Sequence, residues 1–262
     1  MNEGENRTSP AEVIYINNLC KRYGNADELV LKDVNLRIRE GEFHVLLGPS
    51  GCGKSTLLNI IAGFLRKTSG EYLLDGQEVI GAGKDRGIVF QNADRAVFQW
   101  LTVQQNVEFG PKVNGISKKQ RQEIADKYLH MVGLYEHRKK YPDELSGGMK
   151  QRLQIARSLA NESRVLIMDE PFGALDAHTR RILQGEVLKL WQETGKTILF
   201  VTHDIMEALL LGEFIHIMSP FPDSKIYKTY NNPLPYPRIE SGKTFNEMYD
   251  TLQGHFDFGK EI

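Results

Sequence analysis

"GPSGCGKST", residues 48–56, decides the fold. It satisfies G-x-x-x-x-G-K-[ST] with Gly48, Gly53, Lys54 and Ser55. In such a loop the glycines let backbone N–H groups wrap phosphate oxygens. The lysine reaches the β- and γ-phosphates, and the serine hydroxyl can ligate Mg²⁺. Gly48, Pro49, Ser50, Gly51, Cys52, Gly53, Lys54, Ser55 and Thr56 therefore form the candidate phosphate cradle. The flanks fit. "FHVLL" before the loop is a short apolar run, and "STLLNIIAGFL" after it places Leu57, Leu58, Ile61 and Leu65 at helical spacing. Strand, loop and helix start follow one another, so an anion faces the positive end of a helix.

Outward from the loop, short apolar stretches separated by Gly and Asn ("VIYINNL", "LVLKDVNLRI", "EYLLDGQEV") predict β-rich structure from Val13 to about Gly83. Between Thr102 and Ala160 the segments "TVQQNVEFG", "SKKQRQEIADKYLHMVGL" and "GGMKQRLQIARSLA" are charged and poor in β-branched residues, predicting an inserted helical subdomain. "RVLIMDE" and "KTILFVTHD" then read as central parallel strands, apolar throughout and ending in polar residues. Ligands of open α/β sheets sit outside the carboxyl ends of such strands. The clusters at 48–56, 169–170 and 202–204, with Gln91 after "GIVF", all fall at strand ends and are expected to line one crevice.

Two adjacent carboxylates end "VLIMDE". Asp169 is placed to hold Mg²⁺ through water, and Glu170 to activate a water for in-line attack on a γ-phosphate. An ion-pair role for Glu170 is the plainer alternative. His203, just past the next strand, and Gln91 are candidate γ-phosphate, metal or water contacts. Tyr23 offers an aromatic face for adenine; capping the core fits its spacing equally well. "LSGGMKQR", 145–152, puts Ser146, Gly147 and Gly148 at the start of another helix, a second anion-binding geometry in the same chain.

Composition narrows the class. The 262 residues carry 33 Lys and Arg against 34 Asp and Glu, a formal charge of −1, where nucleic-acid binders usually show a basic excess. Two cysteines, Cys20 and Cys52, suggest no disulfide framework and fit a reducing compartment. No apolar run approaches the ~20 residues of a spanning helix, and "MNEGENRTSP" has no signal-peptide core. Any passage through a membrane is expected from another chain.

Tyr23, "GPSGCGKST", Gln91, "LSGGMKQR", "VLIMDE", "ALD" (174–176) and His203 resemble, in order and spacing, the ATPase subunits of ABC transporters, over residues 13 to about 218. The resemblance implies an α/β P-loop NTPase of ABC type, with a mostly parallel central sheet, an antiparallel β subdomain and an inserted α-helical subdomain. The polar composition of the start reads as a disordered lead over 1–12; the resemblance gives an ATPase domain over 13–219 with its helical subdomain at about 102–160, and the Pro-rich 220–262 reads as a tail packed on the domain or partly mobile. ATP and Mg²⁺ are the implied cofactors. Tyr23 stacks the adenine, Gln91 is the Q-loop residue, Glu170 the catalytic carboxylate and His203 the switch histidine; Ser55, Gln91 and Asp169 surround the metal. Two subunits, taken as identical, pair head to tail, so that Ser146, Gly147 and Gly148 of one grip the γ-phosphate on the other's 48–56 loop. Asp176 couples the sites across that interface.

Two departures stand out. Met149 replaces the usual Gln of the signature peptide, which should spare phosphate contacts while weakening any side-chain contact to the partner's ribose. The stretch "NADRAVFQWLTV" is about two residues longer than the family pattern. Phe98 and Trp100 within it either shape a docking surface for a membrane subunit or pack inside the helical subdomain. Cys52, beside Lys54 and a helix N-terminus, sits where a thiolate is favoured, so alkylation blocked by ATP is expected there. The tail, with Pro237 and Arg238 before a short final helix, resembles that of the nitrate, sulfonate and taurine importer ATPases. That implies membrane permease subunits, an extracytoplasmic substrate-binding protein, no nucleic-acid partner, and a peripheral position on the cytoplasmic face of the cell membrane. The alternatives are a soluble ABC ATPase acting as a clamp or assembly factor, and a P-loop kinase, which leaves the signature peptide without a role.

Overall fold

The computed structural model describes residues 12–24, 27–173 and 175–256. The lead expected over 1–12 lies outside them except for Glu12, which opens the first strand. Two sheets form. The antiparallel one has the order β2-β1-β4-β5, from β1 (Glu12–Lys21), β2 (Leu31–Arg39), β4 (Ser69–Leu74) and β5 (Gln77–Glu78). In β2, Leu31, Val34, Leu36 and Ile38 point inward while the residues between face solvent, as expected of a sheet covered on one side.

The larger sheet has the order β10-β9-β3-β8-β7-β6, from β3 (Phe43–Leu47), β6 (Arg86–Val89), β7 (Val165–Asp169), β8 (Thr197–Thr202), β9 (Phe214–Met218) and β10 (Ile226–Asn231). All pairings are parallel except β9 with β10. Strands β3 and β8 are buried at every residue, which their continuous apolar runs require. Their two-residue period sorts side chains into two cores. Phe43, Val45, Leu166, Met168, Ile198 and Phe200 face one; Leu46, Val165, Ile167, Leu199 and Val201 face the other, with the antiparallel sheet and helix α1 (Lys54–Ile61).

The first core also takes a helical layer: α3 (Val103–Val113), α4 (Lys118–Met131) and α5 (Gly147–Ala160), with the short α2 (Ala93–Ala96) adding only the residue after it, Val97. Helices α6 (Ala177–Thr194) and α7 (Ile205–Leu211) flank β8 in sequence, and α8 (Lys243–Gly254) buries Phe245 and Leu252 in the same core. Edge strand β10 is not foreshadowed by the sequence patterns. Its "IYKTYN" is too polar for a central strand but suits an antiparallel edge with one wet face.

Candidate nucleotide site

Parallel strands β3, β8, β7 and β6 are neighbours, and their carboxyl ends bring in the phosphate loop, His203, Asp169 with Glu170, and the Gln91 loop. The loop itself turns at Gly53 (φ 88°), a left-handed residue that starts α1 with no side-chain cap on its free N–H groups. A Cβ at Gly53 would also lie 2.9 Å from the Leu31 side chain. Those uncapped donors and the helix dipole are what an anion would meet at a candidate site there. Lys54 is 5% exposed and donates to the carbonyls of Gly48 (2.7 Å) and Pro49 (2.9 Å). Its ammonium is thus held on the loop's own backbone. Ser55 is exposed at the helix start.

Asp169 ends β7 beside this cation. Burial pushes its carboxyl up, the Glu170 charge pushes it further, and Lys54 opposes both. Glu170 follows in a left-handed conformation (φ 42°), pinned by its N–H on the Val201 carbonyl at 3.0 Å. A non-glycine residue held there is a strained one, the kind that accumulates at functional sites. Its Oε2 lies 3.1 Å from Nδ1 of His203, so the candidate base and the candidate switch histidine are in direct contact. Tyr23 is exposed at 47%, with its hydroxyl 3.3 Å from Thr56 Oγ1 and Lys21 Nζ 5.1 Å from the ring centroid. One face of an aromatic ring beside the phosphate helix remains accessible to a base.

The second helix start lies elsewhere. Ser146 caps α5, its hydroxyl accepting the Met149 N–H at 3.3 Å. Gly147 is open to solvent; Gly148 is closed in, because a Cβ there would sit 2.7 Å from the Thr179 methyl of α6. Gly147 shares a cleft with Gln91, Asp94, Gln151, Pro171 and Leu175, whereas Pro49, Ser50 and Gly51 line another, with Phe221 and Phe256. Asp176 caps α6, accepting N–H groups of His178 (3.1 Å) and Thr179 (3.0 Å), and the Thr179 bonds hold its carboxyl below the usual range.

Three sequence expectations are refined. Cys52 is 1% exposed, its sulfur tucked where a Cβ of Gly48 would be, and burial pushes its thiol up against the opposing pull of Lys54. The expected thiolate setting is therefore overturned: the helix start points at solvent, while the sulfur points into the second core. Met149 packs its side chain against the main core, an apolar use for a position usually polar. The long loop after Gln91 divides its aromatics. Phe98 packs on Phe109 (4.5 Å between centroids) under the Arg157 guanidinium, while Trp100 is 73% exposed.

Sequence reading missed Glu207 and gave Thr202 no role beyond the strand-end cluster; the two brace the residues that flank His203. Thr202 donates its hydroxyl to buried Glu207 at 2.6 Å and accepts the Asp204 N–H at 3.0 Å. A lone glutamate on the buried face of "IMEALLL" was the available signal.

This geometry defines a P-loop nucleotide-binding protein. A family profile described as "ABC transporter" matches residues 31–173. The chain is 51% identical over 221 residues to a taurine import ATP-binding protein of Roseobacter denitrificans, covering 83% of this chain and 81% of that one. Among solved structures, CbiO1 of Clostridium perfringens, part of an ABC transporter complex, superposes with a TM-score of 0.79 at 26% identity over 95% of this chain and 97% of its own. A dimeric ATP-binding cassette, MJ0796, in a post-hydrolysis state with ADP and phosphate, gives 0.71 at 35% identity over 83% and 98%. The chain belongs to the ABC transporter family of ATP-binding subunits and is an ATP hydrolase of that type.

Proposed function

We propose that this subunit energises an importer for taurine or a related small sulfonate, as a head-to-tail dimer docked on membrane permease subunits at the cytoplasmic face. The relatives' import function and the family tail at Pro237 and Arg238 support the cargo class. The observation that carries the dimer is the second anion-binding helix start, Ser146–Gly148, opening into a different cleft from the chain's own phosphate loop. Such a start serves a nucleotide held by a partner. An extracytoplasmic binding protein would deliver the cargo.

The residues support an in-line hydrolysis. Tyr23 stacks the adenine; loop N–H groups and Lys54, leaving the Gly48 and Pro49 carbonyls, take the β- and γ-phosphates. Ser55, Asp169 and Gln91 offer hard oxygen donors, the class Mg²⁺ accepts while keeping several waters, and the ion supplies neutralisation of phosphate charge. Glu170 accepts a proton from the attacking water, His203 donates towards the γ-phosphate, and ADP and phosphate leave. Gln91 shares its cleft with Gly147, and Lys150 of α5 pairs with Asp94 of α2. Closure of α5 on a partner's nucleotide would thus be passed to the segment carrying Trp100.

Glu170→Gln tests the reading. The variant should bind MgATP, hydrolyse it about 100-fold or more slowly, and accumulate as a closed dimer on gel filtration. Tagged and purified with MgATP from detergent-solubilised membranes of its host, it should bring a polytopic membrane protein with it. Recovery with soluble partners alone would favour a clamp or assembly factor. Parental hydrolysis would remove Glu170 from the role.

A further inference from the structure

Helix α7 is only seven residues, Ile205–Leu211, and begins one residue after the His203–Asp204 pair. Its first turn is closed by the Asp204 carboxylate, which accepts the N–H groups of Met206 (2.7 Å) and Glu207 (3.4 Å). The Thr202–Glu207 bond ties the same turn to β8. His203 therefore moves with α7. The opposite end is held by the C-terminal segment. Asn232 Nδ2 donates to the carbonyls of Leu209 (2.9 Å) and Gly212 (3.0 Å). Arg238 Nη1 donates to the same two at 2.7 and 2.8 Å. The Tyr236 hydroxyl donates to Leu211 at 2.6 Å. The Arg238 guanidinium lies 4.0 Å over the Tyr236 ring, and its Nε donates to the Leu234 carbonyl at 3.1 Å.

The three carbonyls left over at the end of α7 thus receive five hydrogen bonds from three side chains of one stretch of chain, one of them a cation placed where the helix dipole is negative. A two-turn helix is about 10 Å long, too short to absorb a displacement at one end by bending. Moving its end shifts His203 against Glu170, a contact that is directional at 3.1 Å.

We propose that Arg238, with Tyr236 and Asn232, is a positioning residue for hydrolysis: it clamps the end of α7 and thereby sets His203 against Glu170. This rests on reading those two residues as the hydrolytic pair. The tail, on this account, tunes turnover from the far end of the helix that carries the histidine.

The test measures MgATP hydrolysis and histidine-¹⁵N spectra of the full-length protein. Arg238→Gln should lower kcat by about tenfold, since a misplacement near 1 Å can remove up to ~100-fold, while KM for ATP stays within about twofold. The His203 imidazole resonances should move. Arg238→Lys, which retains a cation for the carbonyls, should recover much of kcat and the parental His203 resonances. Parental kcat and unmoved resonances in Arg238→Gln would overturn the proposal. So would a joint loss of kcat and ATP affinity that lysine does not rescue. If Arg238→Gln fails to fold, Tyr236→Phe, which removes only the Leu211 bond, decides by the same split between kcat and KM. His203→Ala is the control. Parental hydrolysis there would overturn the hydrolytic pair, while movement of the His203 resonances in Arg238→Gln would still decide whether the clamp positions the side chain.

Discussion

Glu170 carries the most information of any single residue. Its carboxylate is aimed by a left-handed backbone, a bond from its N–H to β8 and a contact with His203, so three separate features fix one side chain. Cys52 shows the opposite case, a side chain in the phosphate loop with no part in its surface. Its neighbours in sequence suggest a reactive thiolate; its neighbours in space are Gly48, Met218 and the second core. Thiolate chemistry needs both a low pKa and access, and burial denies both. Iodoacetamide at neutral pH should therefore label the half-exposed Cys20 first, with Cys52 reacting only as the loop opens. Peptide mapping of a labelling time course checks this. Equal rates at the two sites would restore the thiolate reading.

At the scale of elements, the loop between α2 and α3 owes its shape to one buried amide. Asn106 is fully buried, accepts the Phe98 N–H at 2.9 Å and donates to the carbonyls of Phe98, Leu101 and Thr102 at 3.0 to 3.1 Å. These bonds close the turn that presents Trp100 outward while Phe98 stays packed. Asn106→Leu keeps the volume and strands two backbone groups, the Phe98 N–H and the Leu101 carbonyl, because the Phe98 and Thr102 carbonyls keep the N–H groups of Leu101 and Asn106. Each buried group left unpaired costs about 1–3 kcal/mol, so a loss of about 2 kcal/mol is expected. Urea unfolding measures that loss. Acrylamide quenching should show Trp100 changing its environment while Trp191, which donates to the Gly41 carbonyl at 2.8 Å, does not. A variant of parental stability would assign the loop's shape to its aromatics instead.

At the scale of the whole molecule, the legible parts were those written in local pattern. The phosphate loop, the buried strands β7 and β8 and the helix start at Ser146 each carry their reading within about ten residues. The unread parts join distant segments: Asn232, Tyr236 and Arg238 on α7, the edge strand β10, and a relay that no spacing reveals. In that relay Glu42 Oε2 lies 2.8 Å from His44 Nε2, His44 Nδ1 lies 2.7 Å from His216 Nε2, and His216 Nδ1 lies 2.9 Å from the Thr229 hydroxyl. Glu42 can only accept, so His44 donates to it; in the tautomer whose His44 Nδ1 carries no proton, His216 donates to His44 and Thr229 donates to His216. The chain of bonds ties β3, β9 and β10 into one unit. Burial, then His44, pushes the pKa of His216 well below its ordinary 6.5. Burial pushes Glu42 up, yet the bonds from His44 and the Arg39 N–H hold it below its ordinary 4.5. Both signs agree. As pH falls below about 6.5 the unfolded chain takes up a proton at His216 that the folded chain refuses, so stability falls; Glu42 adds a further loss only near pH 4.5 and below. Between pH 6.5 and 5.5 the His216 contribution is about 1 kcal/mol. His216→Gln keeps a donor for His44 and cannot titrate, so its urea midpoint should fall less steeply over that interval, by about that amount. Parallel pH profiles for parent and variant would show that the relay carries a proton in the folded protein, and the ordered arrangement of its bonds would have to be withdrawn.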